Sequence, residues 1–207
     1  MQRLFHEVQG LLDRYQHKPH IEFEVRFGWK QDTYFDTNIQ REFYDNIYRM
    51  LDSPSLYRLD EKSKIYIWKN MRVIVVNNQI LMVQKKRIVE FVDLKLEGTP
   101  YDVRLSVCQE IPVKSYPKNI LSLATLIRER TRSSFQYKMW SYDLTSVFVP
   151  YTGETVFEFE IELNPRAVDP GTSLNYLAQS LAMKIQDVAS WTVNKCEIIH
   201  LKDVHRL

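Results

Sequence analysis

The chain is poor in the residues that staple or punctuate a fold. Its 207 residues include only two cysteines, Cys108 and Cys196, and 5 glycines. Two distant thiols build neither a disulfide framework nor a C-x-x-C pair, which excludes a stapled secreted scaffold and a thiolate zinc module. We read both as reduced thiols in an intracellular protein. No apolar run approaches the about 20 residues of a membrane helix, and the amino terminus lacks the basic-then-apolar order of a signal peptide. The expectation is a soluble protein of the cytoplasm or nucleus with no membrane partner. Net charge is only +2, so no global field marks a ligand. The five histidines show no metal-ligand spacing, and there is no G-x-S-x-G elbow and no P-loop.

What is present is aromatic and strongly patterned. Aromatics make up 13% of the chain, which, with so little glycine, predicts an ordered β-rich domain. In Phe157-Glu158-Phe159-Glu160-Ile161-Glu162-Leu163 carboxylates and large apolar side chains alternate strictly, the periodicity of a strand with opposite chemistry on its two faces. Ile21-Glu22-Phe23-Glu24-Val25-Arg26-Phe27 repeats the pattern. Two readings of these glutamates stand. They are solvated faces of half-buried strands, or they are gathered around something positive, because aligned carboxylates repel. A divalent cation neutralises such a row with a definite geometry, since hard ions take oxygen ligands.

Taken in order, residues 2–15 have the apolar stripe of an amphipathic helix, followed by a strand over 21–29 and a second helix over 39–51. Residues 64–76 and 79–92 predict a hairpin around Asn77-Asn78. Strands follow over 101–112, 126–137, 140–149 and 157–163, and a last helix over 173–189 begins at Ser173. The fold class is α+β: one domain over 1–207 with about eight antiparallel strands and three helices packed outside. Each strand has one polar face: Glu22/Glu24/Arg26, Arg104/Ser106/Cys108/Glu110, Arg128/Arg130/Arg132, Asp143/Thr145 and Glu158/Glu160/Glu162. An open sheet would show these to water. A closed barrel would collect them in a lumen suited to a metal ion bridged to a polyphosphate, with carboxylates on the cation and Arg forks on phosphate oxygens.

Four of these segments, Ile21–Phe27, Arg128-Glu129-Arg130-Thr131-Arg132-Ser133-Ser134-Phe135, Trp140-Ser141-Tyr142-Asp143-Leu144-Thr145-Ser146-Val147 and Phe157–Leu163, resemble in this order the signature strands of the metal-dependent RNA 5′-triphosphatases. These are the triphosphate tunnel metalloenzymes of fungal, protist and large DNA virus mRNA capping systems. The resemblance implies a closed antiparallel barrel, the tunnel, that removes the γ-phosphate of 5′-triphosphate RNA, and secondarily of an NTP, using Mg²⁺ or Mn²⁺. It implies metal ligation by Glu22, Glu24, Glu160 and Glu162, with Glu158 in the same row. Arg130 and Arg132 would grip the triphosphate, with Arg128, Arg72 and Arg104 as further basic tunnel residues. Glu110 would direct the attacking water, and Asp143 and Thr145 would support the arginine wall.

It further implies a guanylyltransferase and a methyltransferase as functional partners, in cis or in trans. The chain would then be a complete protein or the N-terminal domain of a longer capping enzyme, working in the nucleus or in the cytoplasm, a virus factory or virion included. One departure matters: Ser141 stands where the family usually has Lys or Arg, and Lys85 and Arg87 are the candidate replacements. Lys95-Leu96-Glu97-Gly98 resembles the K-x-D-G nucleophile motif of guanylyltransferases, but its Asp is a Glu and the later motifs are missing, so a polar turn is expected. The rival function is a noncatalytic RNA-end or nucleic-acid binding module, which metal-dependent phosphate release would separate from an enzyme.

Overall fold

The computed structural model describes residues 2–169 and 171–191; Cys196 lies outside the described residues. Eight antiparallel strands close on themselves. They are β1 (Ile21–Lys30), β3 (Tyr57–Trp68), β4 (Met71–Val76), β5 (Gln79–Lys95), β6 (Asp102–Pro112), β7 (Leu126–Tyr137), β8 (Trp140–Val149) and β9 (Glu154–Leu163). Around the barrel the order is β1-β6-β5-β4-β3-β7-β8-β9, and β9 returns to β1 through Glu24↔Glu162, Val25↔Ile161 and Arg26↔Glu160. Closure removes both sheet edges. A two-residue strand, β2 (Phe35–Asp36), adds to β1 outside this circuit. It passes so close to Gly28 that a Cβ there would lie 2.0 Å from the Asp36 carbonyl oxygen.

The apolar core lies outside the barrel wall, under the helices. Helix α1 (Gln2–Tyr15) buries Leu4, Val8, Leu11 and Leu12, one face of a 3.6-residue period, and packs along α3 (Leu174–Ser190). Each such side chain contributes about 1.5–3 kcal/mol of burial. Helix α2 (Arg41–Leu51) brings Phe43 against Phe27 and Tyr101, and Phe27 meets Phe159. Ser173 caps α3 as expected, its Oγ accepting from the Tyr176 backbone N–H at 3.2 Å. With outward positions such as Val25, Val103, Leu105, Leu144 and Ile161 in this core, strand alternation sends the polar positions inward.

Some local expectations are corrected. Residues 64–76 are not one strand: the chain reverses at Lys69-Asn70, where Lys69 takes φ 55°, so two hairpins replace one. Strand β3 begins at Tyr57, because its first half pairs with β7 from Tyr57↔Gln136 onward although its side chains are mostly exposed. The Asn77-Asn78 turn is as expected, with φ 49° and 61° at the two positions. Residues 96–99 form the polar turn that their composition predicts, with Gly98 at φ 77°.

Candidate active site

The lumen is divided by charge along its axis. At one end β1 supplies Glu22 and Glu24, β9 supplies Glu162, and β6 supplies Cys108 and Glu110. The Lys86 ammonium of β5 stands among them, donating to Glu22 Oε2 at 2.5 Å and Glu24 Oε2 at 3.0 Å, with Glu110 Oε1 at 3.0 Å. One cation does not neutralise this group. Burial, together with Glu22, Glu160 and Asp143, pushes the Glu162 carboxyl up to about 10. Burial raises Glu22 as well, against the pull of Lys86. Glu24 stays below the usual range because Arg26 and Lys86 together outweigh its burial.

Guanidinium groups fill the middle. Arg132 donates to Thr145 Oγ1 at 3.1 Å and Asp143 Oδ2 at 2.8 Å, and closely to Glu160; Arg26 reaches the other Glu160 oxygen at 2.8 Å. Ser141 Oγ donates to Asp143 at 2.6 Å, so Ser141 holds the carboxylate that holds Arg132. Arg130 donates to Ser63 Oγ at 2.9 Å and to Glu61. Its pKa is lowered, first by burial and then by Arg132 beside it. That pair of guanidiniums is the feature of the lumen most suited to a polyanion. Further along the row, Arg128 pairs with Glu158 at 2.7 Å, and Thr37 also donates to that carboxylate.

The structure thus brings Glu22, Glu24, Glu110, Glu160, Glu162, Arg72, Arg128, Arg130, Arg132, Asp143 and Thr145 onto the polar inner face of one barrel, but not all in the expected company. The five expected metal ligands, Glu22, Glu24, Glu158, Glu160 and Glu162, do not converge on one point. Glu22 and Glu24 bring oxygens together, and Glu162 adjoins them. Glu160 is shared between Arg26 and Arg132, and Glu158 is bound to Arg128, because guanidiniums in the same layers neutralise them first. Arg72 lies 4.0 Å from Glu110, a loose pairing that leaves its donors free for a ligand.

Arg104 faces inward but is committed: Asp93 holds it bidentately at 2.7 and 2.9 Å, and the Phe35 and Phe91 rings flank it at 4.8 and 4.2 Å. Lys85 and Arg87 are corrected outright. Both are exposed, and Arg87 donates to half-buried Gln109. The lumenal residue is Lys86, which pairs across the sheet with Glu110. Sequence reasoning missed it because Ile88 and Val89 are both apolar and hide the phase. Alternation counted forward from Val83 would have placed Lys86 on the inner face. Glu61, Ser63 and Asp93 were missed for want of any apolar alternation around them.

The donor set fits a divalent cation: four carboxylates share one end of the lumen, the basic groups beside them are Lys86, Arg26 at 3.3 Å from Glu24 and the more distant Arg72, and burial together with like charge drives two of the carboxyls toward their neutral forms.

Comparison with known proteins agrees with this geometry. The family model of the mRNA capping enzyme beta chain matches residues 2–200. Among solved structures, the RNA triphosphatase Pct1 of S. pombe superposes with a TM-score of 0.77 at 17% identity, covering 92% of this chain and 93% of that one. Pct1 in complex with the Spt5 CTD gives 0.75 at 15% identity, over 93% and 94% of the two chains. The Mimivirus capping enzyme triphosphatase gives 0.60 at 16% identity, over 92% and 98%. No curated protein matches the chain in sequence. Such identities speak for the fold, and the family model for the descent: the chain belongs to the mRNA capping enzyme beta-chain family, the metal-dependent RNA 5′-triphosphatases.

Proposed function

We propose that this lumen removes the γ-phosphate of 5′-triphosphate RNA and leaves a 5′-diphosphate end, with nucleoside triphosphates as secondary substrates. The observation that carries the reading is the juxtaposition, inside one closed barrel, of an over-supplied carboxylate end and a wall of half-buried arginines. Arg130 and Arg132 bind the terminal phosphate through N–H groups that develop stronger contacts as charge accumulates on its oxygens. Asp143, Thr145 and Glu160 fix Arg132, and Ser63 and Glu61 fix Arg130, so little reorganisation is needed when substrate arrives.

Glu110 orients the attacking water and accepts its proton, held in place by Lys86 at 3.0 Å. Lys86 supplies the cationic contact that Ser141 does not. Glu22, Glu24 and Glu162 would hold Mg²⁺ or Mn²⁺, which supplies charge neutralisation on the phosphate when bound. The diphosphate product is the substrate class of a guanylyltransferase, followed by a methyltransferase, whether these lie on the same polypeptide or on others.

The test is phosphate release from triphosphate-ended RNA, with and without Mn²⁺. Release that requires the metal is expected, with a diphosphate-ended RNA as co-product. Binding of the RNA end without release would instead support a noncatalytic module.

A further inference from the structure

The mouth of the lumen opposite Glu22 and Glu110 differs in chemistry from the rest of the tunnel. There β2 adds to the end of β1 through Lys30↔Phe35, and β3 turns into β4 at Lys69-Asn70. One cavity of about 350 Å³ joins this rim to the lumen. Its floor is charged, with Glu24, Arg26, Arg72 and Lys86, whereas its rim carries Ile67 and Ile88 beside the uncharged Thr37 and Asn70. Ile88 is 49% exposed, and neither isoleucine belongs to either apolar cluster of the fold. These two apolar side chains therefore serve no core. A second observation comes from the floor of the same cavity. Ser106 is 2% exposed, and its Oγ and the Arg26 Nε are buried without a hydrogen-bond partner. Polar groups left open at that depth suit the oxygens of a ligand.

We propose that this rim seats the first nucleoside of the substrate, with its base against Ile67 and Ile88 and its triphosphate running past Arg26 and Arg72 into the lumen. This rests on the reading of the tunnel as a triphosphatase. A nucleotide is divided as the cavity is, with a flat apolar base at one end and anionic oxygens at the other. A base covers the two isoleucines and takes their surface out of water, whereas inorganic tripolyphosphate has nothing to place there. Thr37 and Asn70 offer hydrogen-bonding groups to the ribose or the base edge. The opposite mouth, where Glu22, Glu110 and Glu162 gather, repels a polyanion. The RNA chain therefore leaves by this rim, past the exposed Lys69. The rim makes the tunnel select nucleotide ends over inorganic polyphosphate.

The experiment compares kcat/KM for a short triphosphate-ended RNA with that for inorganic tripolyphosphate, both with Mn²⁺, in the full chain and its Ile88→Ala and Ile88→Phe variants. The ratio of RNA to tripolyphosphate is expected to exceed about ten in the parent. It should fall at least about threefold in Ile88→Ala and rise above the parent's in Ile88→Phe, because an aromatic face stacks on any base. Both substrates report on the same folded protein, so a loss of active molecules cancels from the ratio. A parent ratio near one, or a ratio that the two variants move in the same direction or not at all, overturns the nucleoside seat. Phosphate release from neither substrate by the parent overturns the triphosphatase reading beneath it.

Discussion

Arg130 and Arg132 share one strand face, yet their company differs. Arg132 is saturated by Asp143, Thr145 and Glu160, whereas Arg130 has Ser63 and Glu61 and sits against a like charge. Arg130 is therefore the guanidinium whose charge most needs an incoming anion. Arg130→Ala should cut phosphate release by more than about 10²-fold, the scale for losing a charge-assisted contact to a transferring group. Its melting curve should stay close to wild type; turnover near wild type would place Arg130 outside the chemistry.

A second residue makes a statement about stability. Lys184, on the buried face of α3, has Ser180 Oγ at 3.3 Å and the Trp140 ring as its near partners, and burial pushes its pKa down to about 8. Asp187 pulls the value up and Lys138 presses it further down. A folded-state value below the unfolded value of about 10.5 means the unfolded chain binds more protons between pH 8 and 10.5. The cost is therefore fully present at neutral pH and is relieved as pH rises through that window. Lys184→Met should stabilise the protein by about 1–3 kcal/mol at pH 7 in thermal melts, an advantage that shrinks toward pH 10.5.

At the scale of elements, β5 shows where a sequence stops being legible. Its pairing with β6 shifts between Ile88 and Glu90, so that Lys86 and Ile88 face inward before the irregularity, and Phe91 and Asp93 after it. An inserted residue inverts every later assignment. Lys86→Met should lower turnover by more than about tenfold while Lys85→Met leaves it near wild type; equal effects would contradict the register. The glutamate and arginine strands were legible because four or more alternating residues each announce one phase. The first half of β3 was not, because Tyr57 and Leu59 are exposed and no apolar face marks the strand. Nor could alternation say which glutamates meet an arginine. That depends on the layer each occupies after closure, as with Arg26 opposite Glu160. Gly28 is a simpler case of an element imposing a residue: Gly28→Ala places a Cβ against the Asp36 carbonyl, and should lower stability by about 1–3 kcal/mol and detach β2.

Across the whole molecule, the barrel is turned inside out relative to a water-soluble protein with an apolar centre. Helices α1, α2 and α3 cover the apolar exterior, and the interior carries the charge. This arrangement places carboxylates and guanidiniums in a shared low-dielectric space, where each is worth more to a ligand than it would be on a surface. The most direct test is the Mn²⁺ dependence of phosphate release from triphosphate-ended RNA by wild type and Glu24→Gln. The mutant is expected to need at least about tenfold more Mn²⁺ for half-maximal release, because it lacks one negative ligand. Identical Mn²⁺ midpoints in the two proteins, or release that ignores Mn²⁺ altogether, would contradict it.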